Sequence, residues 1–124
     1  MSATKKILIV DDSNTILLMV QMILRREGYE LVTARDGADG LEKVRTHQPD
    51  LVLMDVMMPV MNGFEALQAI RADSTIAATP VIMVTTRAES ENVESGYLSG
   101  CSDYVTKPIN GAELLAKVRN LIID

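Results

Sequence analysis

Residues 51–63 read LVLMDVMMPVMNG. Four apolar residues, Leu51 to Met54, run without alternation into Asp55, the pattern of a strand covered on both faces as in a parallel sheet. Pro59 and Gly63 mark a turn. Phe64, Leu67 and Ile70 then recur at helical spacing, so the segment after Gly63 predicts a helix with those three residues inward. Strand, polar turn and helix make one βα unit.

The same unit recurs on both sides. Short apolar runs over 6–10, 30–34, 51–54, 81–84 and 103–106 alternate with longer segments of helical period, the signature of parallel strands joined by crossover helices. Ser13 or Asn14 is a good N-cap for a first helix with a core stripe of Ile16, Val20, Ile23 and Leu24, and Gly28 is a plausible stop. Asp36 can cap a second helix carrying Leu41 and Val44, with Pro49 just beyond it. A weak helix is expected over 90–98, where Val93 and Tyr97 are the clear apolar pair and Gly96 interrupts. A last helix after Asn110 places Leu114, Leu115, Val118, Leu121 and Ile122 on one face.

A chain of 124 residues with 48% hydrophobic composition suits one domain with one core, and residues 1–124 are read as a single unit. The lone cysteine, Cys101, forms no internal bridge and fits a reducing, cytoplasmic setting. Net charge of −5 argues against contact with the phosphate backbone of nucleic acid. No run approaches the roughly 18 apolar residues that span a membrane. The final helix ends almost where the sequence does, leaving no expected output domain.

Polar residues stand at the carboxyl ends of the expected strands: Asp11 and Asp12, Asp55, Thr85 and Lys107. Right-handed crossovers bring such ends to one edge of an open parallel sheet, where the binding crevice lies. Three confined carboxylates repel one another and would take up protons unless a cation is supplied. Oxygen-only donors and an open coordination sphere suit Mg2+, which also accepts phosphoryl oxygens. Lys107 offers positive charge and Thr85 a hydroxyl, so the set suits phosphoryl transfer with Asp55 as nucleophile.

With these residues in order, the sequence resembles the receiver domains of two-component response regulators, of the CheY-like single-domain type. The resemblance rests on ILIVDDS with Asp11 and Asp12, LVLMDVMMPVMNG with Asp55, Pro59 and Gly63, VIMVTT with Thr85, and DYVTKP with Tyr104, Lys107 and Pro108. It spans essentially the whole chain. It implies an α/β, flavodoxin-like, doubly wound five-stranded parallel sheet of order 2-1-3-4-5 with five helices. It further implies that Asp55 accepts phosphate from a histidine kinase or phosphotransfer protein. Asp12, Asp55 and the Met57 carbonyl would bind Mg2+ directly, with Asp11 acting mainly through a bound water. Backbone N–H groups of Met57 and Thr86 would cradle the phosphoryl group, and Thr85 and Tyr104 match a switch pair. Phosphorylation would change affinity for a downstream effector protein. Met57 and Arg87 occupy positions at which family members differ in how fast they lose phosphate.

Blander readings stand beside these. Tyr104 reads equally as a half-buried strand aromatic, Gly63 as the residue of a tight turn, and Cys101 as a small packed side chain. Leu18 and Met22 fall on the polar side of the first helix, where they are either exposed apolar residues or a docking patch for the phosphodonor. Three other functional readings remain open. One is a receiver cut from a longer regulator or hybrid kinase; another is a metal-dependent phosphohydrolase with an aspartyl nucleophile. The Asp-x-Asp pair of the latter is absent. A nucleotide switch is disfavoured because G-x-x-x-x-G-K-[ST] is missing. Whether activation yields a dimer stays open.

Overall fold

The computed structural model describes residues 4–86 and 100–122. Five strands, β1 (Lys6–Val10), β2 (Glu30–Ala34), β3 (Leu51–Asp55), β4 (Val81–Thr85) and β5 (Asp103–Thr106), alternate with helices α1 (Asn14–Arg25), α2 (Gly37–His47), α3 (Gly63–Ala72) and α4 (Gly111–Leu121). All strand pairs are parallel, in the order β2-β1-β3-β4-β5. Four helices are thus described where five were expected; the one expected over 90–98, with Val93, Gly96 and Tyr97, lies outside the described residues, as does Arg87.

The sheet divides the core by strand periodicity, since successive side chains point to opposite faces. Leu8, Val10, Val52, Met54, Val81 and Met83 face α2 and α3, whereas Ile7, Ile9, Leu51, Leu53, Ile82, Val84 and Val105 face α1 and α4. Strands β3 and β4 are buried at every position, which is why their sequences show no polar alternation. Each is one residue longer than its apolar run. Asp55 and Thr85 are therefore the last residues of their strands rather than the first of the following loops.

Helix starts follow their caps. Ser13, Asp36, Asn62 and Asn110 each accept a backbone N–H three residues on, and Asn62 with Glu65 forms a reciprocal capping box. Helix α1 buries Leu17, Val20 and Leu24, while Ile16 and Ile23, placed in its core stripe from sequence, only lean on the core partly exposed. Its inward direction follows the line of Leu17, Val20 and Leu24. In α3, Leu67 and Ile70 are inward as expected, but Phe64 is half-buried and Ala66 takes the central place. A small residue there lets the helix approach the sheet. Leu114 and Val118 are the buried pair of α4, with Leu115, Leu121 and Ile122 partly covered.

Candidate functional site

The strand order reverses between β1, which pairs with β2 and β3, and the strands beyond it, so the crevice opens past the carboxyl ends of β1 and β3. Val10 pairs with Met54. One step further along this register, Asp11 leaves the end of β1 beside Asp55 at the end of β3. On the other side Thr85 pairs with Thr106, and the Lys107 amide donates to the Thr85 carbonyl at 2.7 Å. Four chain segments thereby deliver their polar ends to one rim.

Asp11, Asp12 and Asp55 form a group in which one oxygen from each lies within 4.8 Å of the others. Their environments differ. Asp11 and Asp55 are only 2% and 3% exposed, whereas Asp12 is on the solvent side. The three carboxylates are gathered as the sequence leads one to expect, but only two of them are buried and Asp12, one residue further beyond the end of β1, is exposed. The Lys107 ammonium stands 2.9 Å from Asp55 Oδ1 and 3.9 Å from Asp11 Oδ2, so it serves both buried acids.

Burial raises the Asp55 carboxyl to about 6; the Lys107 hydrogen bond opposes this, and the negative charge of Asp11 adds to it. Asp11 is raised for the same leading reason, against the Ser13 amide at 2.9 Å and the charge of Lys107. One ammonium therefore leaves two desolvated acids short of compensation. That deficit, with an all-oxygen donor set, fits a hard divalent cation at Asp11, Asp12 and Asp55.

Thr85 is fully buried and its hydroxyl donates to the Val105 carbonyl at 3.4 Å. Tyr104 is half-buried against the cluster containing Met54 and Met83. It pairs with Met83, two residues before Thr85, so Tyr104 and Thr85 share a sheet face. Met57 is 65% exposed and Thr86 is exposed; both lie at the mouth of the crevice, just past β3 and β4.

The loop after Asp55 is held by two glycines through close approach. A Cβ on Gly63 would lie 2.0 Å from the Asp55 carbonyl oxygen, and one on Gly37 would lie 2.2 Å from that of Met61. The turn role expected of Gly63 is therefore replaced by contact: its φ is unremarkable, and its amide donates to the Val56 carbonyl at 2.8 Å. Gly37 was missed in the sequence, where only its position after the Asp36 cap could have drawn notice. The Lys107–Pro108 peptide is cis. Leu18 and Met22 are exposed at 63% and 66% and line a groove of about 620 Å³ between α1 and α4 with Met19 and Leu115.

The family model described as the response regulator receiver domain matches residues 7–119. The DNA-binding response regulator MtrA of Mycolicibacterium smegmatis is 41% identical over 115 residues, covering 93% of this chain and 49% of that protein. The transcriptional regulatory protein CseB of Streptomyces avermitilis is 39% identical over 122 residues, covering 98% and 51% respectively. The chain thus spans about half the length of the curated relatives it matches. The solved structure of the chemotaxis response regulator CheY4 of Vibrio cholerae superposes with a TM-score of 0.87 at 38% identity, covering 97% of this chain and all of that one.

Proposed function

Because this chain belongs to the response regulator receiver family, we propose that it is a phosphorylation-dependent switch in which Asp55 accepts a phosphoryl group from a phosphohistidine donor. The donor is a histidine kinase or a phosphotransfer protein. An Asp55 oxygen forms the new O–P bond as the P–N bond breaks, and the electron pair of that bond stays on the donor's histidine nitrogen. The product is one acyl phosphate per chain, so the protein works by stoichiometric modification, assisting its own phosphorylation and dephosphorylation.

Asp12, Asp55 and the Met57 carbonyl are assigned to Mg2+, with Asp11 acting mainly through a water. When bound, the ion offsets negative charge on the transferring oxygens. Lys107 moves from an aspartate counter-ion to a phosphoryl counter-ion, since its ammonium already reaches the Asp55 oxygen at 2.9 Å. The Met57 and Thr86 amides complete the cradle. Thr85, drawn to the phosphoryl group, gives up its long bond to Val105, and the Tyr104 ring turns into the space that the threonine leaves. Partner affinity then changes at the surface of β5, α4 and the helix expected over 90–98. A bias of a few kcal/mol suffices to redistribute two nearly balanced states.

The observation that carries this reading is the buried Asp11–Asp55 pair sharing one lysine at the crevice. Incubation with acetyl phosphate and Mg2+ tests it, followed by intact mass and NMR. A gain of one phosphoryl group in the wild type and none in Asp55→Asn, with shifts spreading to Tyr104, is expected. Turnover of unrelated phosphate monoesters without a stable acid-labile adduct would favour a phosphohydrolase instead. The half-length match to MtrA and CseB supports a second reading of context, a receiver within a longer regulator. The mass of the native protein on an immunoblot separates that from a stand-alone switch.

A further inference from the structure

Contacts from two directions converge on the middle of β5. From α4, the Lys117 ammonium donates to the Tyr104 carbonyl at 2.6 Å, lies 3.4 Å from Asp103 Oδ1 and stands 5.4 Å from the centroid of the Tyr104 ring. Asp103 Oδ1 also accepts the Tyr104 amide at 2.8 Å. From β4, the Thr85 hydroxyl donates to the carbonyl of the next residue, Val105. Residues 104 and 105 are thus gripped by an ammonium on one helix and a hydroxyl on the adjacent strand.

The two grips differ in strength. The Thr85 bond, at 3.4 Å, is near the limit of a hydrogen bond, whereas the Lys117 bond is short and charge-assisted. Asp103 and the Tyr104 carbonyl belong to the strand and stay in place, so Lys117 stays with them. The ring is free to turn about its own side-chain bonds, and cation–π attraction, confined to about 6 Å, favours the position in which its centroid lies 5.4 Å from the ammonium. A ring that turns away loses that contact while the ammonium keeps the Asp103 carboxylate and the Tyr104 carbonyl.

We propose that Lys117 is a positioning residue for the switch: anchored by Asp103 and the Tyr104 carbonyl, it holds the Tyr104 ring in its unphosphorylated orientation and ties release of the ring to α4. The inference rests on the reading of Thr85 and Tyr104 as the switch pair. Lys117 thereby sets how often the ring adopts the activated position before any phosphate arrives.

The test uses the full chain with ring-labelled tyrosine, the Tyr104 signal being assigned by Tyr104→Phe, and NMR spectra with and without acetyl phosphate and Mg2+. In the wild type, phosphorylation moves the Tyr104 ring resonance and defines a line between the two states. Lys117→Met keeps the aliphatic stem and removes the charge. Without phosphate, its resonance is expected part-way along that line, corresponding to about a 2- to 5-fold larger activated fraction, the bias an exposed cation–π contact supplies. Lys117→Arg retains a cation and is expected to stay at the wild-type position. If phosphorylation moves the wild-type ring but Lys117→Met overlays the wild type, or Lys117→Arg moves as far as Lys117→Met, the role of Lys117 is overturned and the switch pair stands. If the wild-type ring does not respond to phosphorylation, the switch pair itself fails and the Lys117 role fails with it.

Discussion

Asp55 illustrates how one buried group links stability to chemistry. Its carboxyl is raised from 3.8 to about 6, chiefly by burial, so the folded chain holds this proton more tightly than the unfolded chain does. The sign follows: the group's contribution to stability falls as pH rises from about 4 to about 6, and the cost of the ionised form is fully present above that window. In EDTA, Asp55→Asn is expected to raise unfolding free energy at pH 7 by about 1–3 kcal/mol, with the gain fading toward pH 4. Denaturant titrations at the two pH values check this, and an unchanged or lower midpoint at pH 7 contradicts it. Because protons and Mg2+ compete for the same oxygens, apparent Mg2+ affinity should also decline below about pH 6. Val60 is a second residue-scale case: a β-branched side chain at φ 70°, 84% exposed, in the loop after the site. That backbone region costs a non-glycine residue about 1 kcal/mol or more. Val60→Gly should stabilise the fold by about 1 kcal/mol in thermal melts, while the yield of acyl phosphate stays unchanged.

At the level of elements, the decisive contacts are those where a helix start meets the loop that follows Asp55. Gly63 packs on the Asp55 carbonyl through backbone, which cannot swing aside as a side chain could. Gly63→Ala should therefore cost about 2 kcal/mol or more and also slow phosphorylation by acetyl phosphate, since relief of the clash moves the Asp55 peptide. Gly28→Ala is the contrast. It meets open space and has only its φ of 81° against it, so it should cost about 1 kcal/mol and leave phosphorylation alone. Equal phosphorylation rates in Gly63→Ala and the wild type would show that the loop adjusts without moving the acid. Strand and cap positions were legible in the sequence to within a residue, as β1 and the Asp36 cap show, because apolar runs and capping side chains act on their immediate neighbours. The reason for Gly63 was not legible, since it depends on a carbonyl eight residues away that only the folded loop brings close.

Across the whole molecule, the crevice and the α1–α4 groove are lined by different residues. Leu18 and Met22 leave exposed apolar area on a helix whose opposite side buries Leu17, Val20 and Leu24. Of the two readings of this pair, the docking patch for a phosphodonor is the one that makes a kinetic prediction. Leu18→Glu with Met22→Glu should slow transfer from a histidine kinase by tenfold or more, the scale of removing about 1.4 kcal/mol of docking energy, and leave phosphorylation by acetyl phosphate unchanged. Parallel time courses with the two donors decide it, because equal slowing of both would place the defect in the site rather than on the surface. Among the described residues no helix is long and apolar enough to cross a membrane.

Sequence alone determined the alternation of strands and helices, the fully buried character of β3 and β4, and the assembly of Asp11, Asp12, Asp55, Thr85 and Lys107 at the strand ends. Periodicity and the sidedness of parallel crossovers are properties that a linear string carries. Tertiary structure decided which acids are desolvated, that Lys107 serves two of them, that Leu17 rather than Ile16 fills the core under α1, and that Lys117 reaches Tyr104 from α4. Desolvation and cross-element contact are set by strand register and helix orientation, which bring together atoms far apart along the chain.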